Sequence, residues 1–226
     1  MKLNEKQLAL VKAGKDAGLI RCNVSRRNKK LVPNGKTGFI IWNLPAKITC
    51  PHATEHCKRF CYAIKAEVAY PDCLPCRQRN LKESMQKDFI ERMTFTILSI
   101  AKGCKTQELI VRIHESGDFY NKAYVSAWLE IMEACDGLPI KFIAYTKSFP
   151  FFDGRELPRN FFMRASIWDD TKPAFLAMIK RNNWATYSAV EKFTDADTFG
   201  QCRCEDCATC GKCWNNEYKE INCEIH

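Results

Sequence analysis

A chain of 226 residues, 46% hydrophobic and 27% charged, is long enough to bury a core without covalent staples, which excludes a disordered tail and a small disulfide scaffold. Its net charge of +9 points to an anionic partner, and no run of about 18 apolar residues marks a membrane span. The opening MKLNEKQLALVKAGK is charged throughout and lacks the apolar centre of a secretion signal, so a cytoplasmic protein with reduced thiols and no membrane partner is expected.

Residues 1–37 read as an N-terminal helix and a basic loop. Leu8, Val11 and Leu19 form the apolar side of the helix, and Gly14 and Gly18 weaken it. The loop, residues 21–36, begins RCNVSRRNKK. Its five basic residues, Arg21, Arg26, Arg27, Lys29 and Lys30, suit either a nucleic-acid contact or a solvated loop. GFIIWNLP (38–45) is a short apolar run closed by proline, the pattern of a buried strand. From Cys61 to Ala101 the pattern is helical, broken at YPDCLPC and then continuous through Leu81, Met85, Phe89, Met93 and Ile97. Strands are expected at 108–119, 140–148, 161–168 and 184–190, and helices at 122–135 and 172–182, the last with proline in its first turn.

Alternating strands and helices at this spacing predict an α/β fold, a partial, open parallel β/α barrel over residues 38–200 with about five strands, followed by a cysteine-rich segment at 201–226. Polar residues gather just after the strand ends: Asn43, His114 to Asp118, Thr146 to Ser148, Ser166 to Asp170, and Ser188. Parallel β/α folds place their chemistry on that face, so loops far apart in sequence are expected to meet there.

Of fourteen cysteines, five lie between Cys50 and Cys76 and six between Cys202 and Cys223, which points to metal. Cys50, Cys57 and Cys61 lie on a loop that leaves a strand and enters a helix. Three thiolates there can hold three irons of a cubane and leave the fourth open, with helix N–H groups donating to its sulfurs. Zinc is the rival, because His52 and His56 can complete a Cys/His set. Cys73 and Cys76 form a C-x2-C that can supply a fourth ligand. The second group, Cys204, Cys207, Cys210 and Cys213, has the every-third spacing of ferredoxin loops, with Cys202 or Cys223 as substitutes. Trp214 shields that centre or simply fills the core. Cys104 and Cys135 read as small buried hydrophobes, and Cys22 has no assigned role.

HESGDF follows a β-branched apolar strand directly. Glu115 and Asp118 are the candidate catalytic carboxylates, binding a cationic amine or moving a proton, and the alternative for Asp118 is a helix N-cap. Lys147, Arg164 and Asp169 at strand ends contact a ligand or pair with neighbours. No P-loop, nucleophile elbow or dinucleotide fingerprint occurs.

TCPHATEHCKRFCYA, the Arg79–Asn80 pair, RIHESGDF, AYTKS and the closing CxxCxxCW together resemble the bacteriophage gene product 88-like proteins, over about Gly38 to Trp214. More loosely, the architecture is similar to that of radical S-adenosylmethionine enzymes, with three cysteines after the first strand, a glycine motif after the second and an auxiliary C-terminal cluster. That resemblance implies Cys50, Cys57 and Cys61 as cluster ligands and S-adenosylmethionine on the open iron, with Glu115, Ser116, Gly117 and Asp118 facing its methionine amino group. The cysteine gaps are six and three residues here, against three and two in that superfamily, and the glycine pair is reduced to Gly117. The resulting expectation is a phage-type protein in the host cytoplasm that carries two [4Fe–4S] clusters, takes electrons from a donor and performs redox or radical chemistry as an oxidoreductase or transferase. The alternative is a non-catalytic, metal-stabilised module that binds nucleic acid through residues 21–36.

Overall fold

The computed structural model describes residues 1–192, 200–203 and 206–224. Six strands, β1 (Thr37–Trp42), β2 (Glu108–Ile113), β3 (Ile140–Thr146), β4 (Phe161–Ile167), β5 (Ala185–Val190) and β6 (Glu220–Glu224), form one open sheet. Their spatial order is their chain order and every pairing is parallel. The connections between β1 and β5 place Phe95, Trp128, Phe149 and Ile179 on one face, whereas the β5–β6 connection carries Ala208 and Trp214 to the other. The helices are α1 (Glu5–Asp16), α2 (Glu55–Arg59), α3 (Tyr62–Ala69), α4 (Cys73–Ser84), α5 (Phe89–Gly103), α6 (Lys122–Ala134), α7 (Pro173–Arg181) and the single turn α8 (Cys207–Cys210).

Strand alternation sorts the apolar residues into two cores, which is why the strands read as unbroken hydrophobic runs. Ile40, Trp42, Leu109, Val111, Phe142 and Ala144 pack with α5, α6 and α7 in the main core. Phe39, Ile41, Ile110 and Ile143 point the other way and meet Leu31, Ala208 and Trp214. The second face is thus covered by the basic loop and by the cysteine-rich segment. Each large apolar side chain so buried contributes about 1.5–3 kcal/mol.

Several expectations are corrected. Leu8 is exposed, and Gln7 takes the inward position, its Oε1 accepting from Asn4 N and its Nε2 donating to Asp136 O. Gly14 is a close-approach residue, since a Cβ there would sit 2.6 Å from Phe95 Cδ2. The expected continuous helix is two, α4 and α5. Met85 lies exposed in the break, and the turn lets Phe89, Met93 and Ile97 enter the main core. The sheet has six strands, not about five. EINCE, with one fully apolar position at Ile221, carries too little hydrophobic pattern to read as a strand.

Candidate metal centres

The loop after β1 is stitched to the loop after β2. Asn43 Oδ1 accepts from the backbone N–H groups of Glu115 (2.7 Å) and Ser116 (3.2 Å), and Asn80 Nδ2 donates to the Asn43 carbonyl at 2.9 Å. Leu44 N donates to Ser116 O and Ser116 Oγ to Leu44 O. Gly117, at φ +79°, fits into this seam, where a Cβ would meet Thr49 Oγ1 at 2.5 Å and Leu44 Cβ at 2.6 Å. The cysteine loop is therefore held from beneath by HESGD.

Along that loop Thr54 caps α2, which carries Cys57, and Cys61 is the N-cap residue of α3. The structure brings Cys50, Cys57 and Cys61 within electrostatic reach of one another. Burial pushes the Cys50 thiol up to about 12 and raises Cys57 as well, so a thiolate here calls for a cation. One is supplied by Lys147, just past β3. Its buried ammonium interacts electrostatically with Cys57, donates to Ser166 Oγ at 2.8 Å and lies 5.5 Å from the centroid of the Trp168 ring.

Asp118 is buried, and burial raises its carboxyl. Its oxygens accept from Phe119 N, Thr146 Oγ1, Lys147 N and Ser148 N. The N-cap role falls instead to Asn121, whose Oδ1 accepts from Tyr124 N at 2.8 Å. Asp118 thus orders the strand end that presents Lys147. Glu115, half-buried, takes hydrogen bonds from Asn28 and Asn43, and its carbonyl accepts from the Tyr62 hydroxyl. His114 is buried and neutral, held by Tyr124 Oη at 3.0 Å, with burial lowering its pKa to about 3. The two histidines of the cysteine loop are engaged elsewhere. His52 packs edge-on against Phe151 and Phe175, and His56 Nδ1 lies 2.6 Å from Asp169 Oδ1. His56, Asp169 and Asp170 are, among the described residues, the one trio of His, Cys, Asp or Glu with all ligand atoms within 4.8 Å of one another.

The second centre lies against the opposite sheet face from the main core. Arg164, on β4 and buried, donates to four carbonyls of the cysteine-rich segment: Cys213 (2.8 Å), Tyr218 (2.6 Å), Lys212 (3.0 Å) and Asn215 (3.2 Å). Cys207 N donates to Lys30 O at 3.0 Å, tying the segment to the basic loop. Cys202, paired beside β6 through its N–H to Asn222 O, hydrogen-bonds Cys223 side chain to side chain. Cys202, Cys207, Cys210, Cys213 and Cys223 form one linked set of interacting thiols. Cys204 lies outside the described residues.

Cys202 and Cys223 interact strongly, so that the thiolate of one is favoured at the expense of the other, with Cys202 raised and Cys223 lowered. Tyr187 neighbours this pair and Tyr145 neighbours Cys213, and each favours the thiolate beside it. Burial raises the thiols of Cys207 and Cys213, and Arg112, its guanidinium 3.6 Å from the centroid of the Tyr145 ring, opposes that rise, as Lys30 opposes the rise at Cys202. Trp214 is a core aromatic, edge-on to Phe39 at 6.2 Å.

Sequence reasoning did not single out Arg112, Tyr145 or Tyr187. The available signal was the period of two that sets polar residues on the same face as Ile110 and Ile143. The basic loop is not a separate arm, since Ser25 exchanges backbone hydrogen bonds with Ile41 and Arg26 Nε donates to Phe39 O. Cys135 is fully buried as expected, and Cys104 Sγ lies 2.9 Å from Thr106 Oγ1.

The family model described as Gene product 88 matches residues 22–216, a span that takes in the quoted motifs and every cysteine except Cys223. The chain belongs to the gene product 88 family. Among curated members, the Gene 88 protein of Mycobacterium phage L5 is 30% identical over 104 residues, 44% of this chain and 43% of that protein. The Gene 88 protein of Mycobacterium phage D29 is 31% identical over 104 residues, 44% of this chain and 42% of its own. The match thus spans less than half the length of either relative. No solved structure matches the chain. Among the described residues no helix is long and apolar enough to cross a membrane.

Proposed function

We propose that this member of the gene product 88 family is an iron–sulfur protein holding two [4Fe–4S] clusters on a scaffold like that of the radical S-adenosylmethionine enzymes, and that it performs redox or radical chemistry with an external electron donor. The observation that carries the reading is the convergence of Cys50, Cys57 and Cys61 beside the buried ammonium of Lys147 at the C-terminal end of a parallel sheet.

The donor sets fit the group. At the first place the chain offers three mutually close cysteines, Cys50, Cys57 and Cys61, with both histidines of the loop turned to other partners, so a four-ligand Cys/His zinc set is not assembled there. Cations match the thiolate charge at both places: Lys147 at the first, Arg112, Arg164 and Lys30 at the second. When bound, such clusters supply one-electron transfer and, at an iron without a protein ligand, a site for the amino and carboxylate groups of S-adenosylmethionine.

The chain's own residues divide the remaining work. Tyr145 beside Cys213 and Tyr187 beside Cys202 and Cys223 would polarise the sulfurs of these ligands and so tune the potential of a bound cluster. Ser116, Gly117 and Asp118 hold the cysteine loop and the Lys147 strand end, leaving Glu115 as the member of its motif placed to meet a ligand amine. Anaerobic iron and sulfide analysis tests the reading: roughly eight irons and eight sulfides per chain are expected. Electron paramagnetic resonance of the reduced protein should change when S-adenosylmethionine is added. Colourless zinc protein would overturn the cluster reading, and a spectrum indifferent to the cofactor would overturn the open iron.

A further inference from the structure

The motif Cys73-Leu74-Pro75-Cys76 belongs to neither centre. Cys61 caps the start of α3 and Cys73 opens α4 just beyond its end, so the axis of an eight-residue helix, about 12 Å, lies between them. The electrostatic partners of Cys73 are Arg77, Glu67 and Cys76, none of them a cysteine of the first centre. A fourth thiolate for that centre is therefore not at hand from this pair.

The geometry does suit a bond between the two sulfurs. Residues three apart share one helix face with Cβ atoms about 5–6 Å apart, against about 3.5–4.5 Å in a disulfide. The difference is small, and it falls at Cys73, the first helical residue, where the backbone adjusts most readily. Both thiols are partly exposed. Asn23 Nδ2 donates to Cys76 Sγ at 3.2 Å, which fixes the position of that sulfur. Partial burial raises the Cys73 thiol, and the terminus of a twelve-residue helix opposes that rise. The platform is firm, because Arg77 next door binds Glu67 at 2.8 Å and the Ala63 carbonyl at 3.0 Å.

We propose that Cys73 and Cys76 form a redox-active dithiol that exchanges with low-molecular-weight disulfides, independently of the metal centres. One thiolate attacks a sulfur of the incoming disulfide, forming a mixed disulfide and expelling one thiolate. The second cysteine, as thiolate, attacks that mixed disulfide, closes the Cys73–Cys76 bond and expels the other. Two protein thiols are oxidised, one disulfide is reduced to two thiols, and the protons pass to the leaving thiolates.

The test uses the full anaerobically purified chain, equilibrated with graded ratios of reduced and oxidised glutathione, acid-quenched, alkylated and digested with trypsin. The peptide Ala66–Arg77 contains these two cysteines and no other. It is expected to pass, along a single sigmoid in the glutathione ratio, from the doubly alkylated form to an unalkylated form two hydrogens lighter than the free dithiol. Cys76→Ser is expected to trap glutathione on Cys73, and both Cys73→Ser and Cys76→Ser to keep the wild-type metal content. A peptide that stays dithiol at every ratio would overturn the proposal, as would metal lost in parallel with either substitution, which would make the pair a ligand.

Discussion

Arg164→Met should detach the cysteine-rich segment from the sheet while leaving the main core intact. The substitution keeps the stem and removes the donors that hold the carbonyls of Lys212, Cys213, Asn215 and Tyr218. Hydrogen bonds from a charged donor are each worth about 1.5–3 kcal/mol, a gross loss of about 6–12 kcal/mol for four. Water refills part of that site, and the buried guanidinium no longer has to be desolvated, so a net local loss of about 3–4 kcal/mol is expected. Hydrogen exchange followed by mass spectrometry reads this locally. The amides of Cys210, Gly211 and Trp214, which bond to Asp206, Cys207 and Gly211, should exchange roughly 150- to 1000-fold faster at about 1.4 kcal/mol per decade, and those of α5 and α6 should not change. Metal should fall by the share of the second centre alone. Acceleration under about tenfold, with full metal content, would refute the assignment of Arg164 as the anchor.

Gly117→Ala combines a positive φ with contacts of 2.5 Å and 2.6 Å to the cysteine loop, so a loss of about 2–4 kcal/mol and of metal at the first centre is expected in thermal melts and metal analysis. Asp118→Asn turns an amide N–H₂ toward donors that the carboxylate now accepts from, and should cost about 2–4 kcal/mol in urea unfolding. His114 titrates near 6.5 unfolded and about 3 folded, so the unfolded chain binds more protons between those values. Its contribution is complete above 6.5 and is lost as pH falls, at about 1.4 kcal/mol per unit, and His114→Gln should lack that part of the slope. Lys147→Met should lower metal retention at the first centre, with partial rescue by Lys147→Arg. Equal retention in all three proteins would count against charge pairing with Cys57.

The strand order was legible because each β/α unit repeats the same signal, an apolar run followed by an amphipathic helix. EINCE escaped because an edge strand needs little hydrophobic pattern when its partner supplies the ladder. The grouping of cysteines was legible for the reason that clustered thiols need a cation. Lys147 and Arg164 stood out at strand ends, but their partners did not, because they reach them across separations of 90 and 49 residues in sequence. Gly117 illustrates the limit from the other side. A glycine in a polar loop after a strand suggests a ligand approaching the backbone, yet the atoms that fill that space belong to Leu44 and Thr49.

Strand β3 links the two centres. Tyr145 and the residue two further along, Lys147, share a sheet face about 6.6 Å apart along the chain. The first interacts with Cys213 and the second with Cys57. Thr146 between them points the other way and donates to Asp118. One strand end therefore fixes a hydroxyl at one thiol group, an ammonium at the other, and its own position through a buried carboxylate. Displacing it by a single residue would turn both donors into the main core and bring Thr146 to the cysteines. If the two groups of thiols work together, β3 is where a perturbation of one must be felt by the other: Asp118→Asn should change hydrogen exchange at Cys210 and Trp214 as well as metal at the first centre. A change confined to the first centre would show that the two work apart.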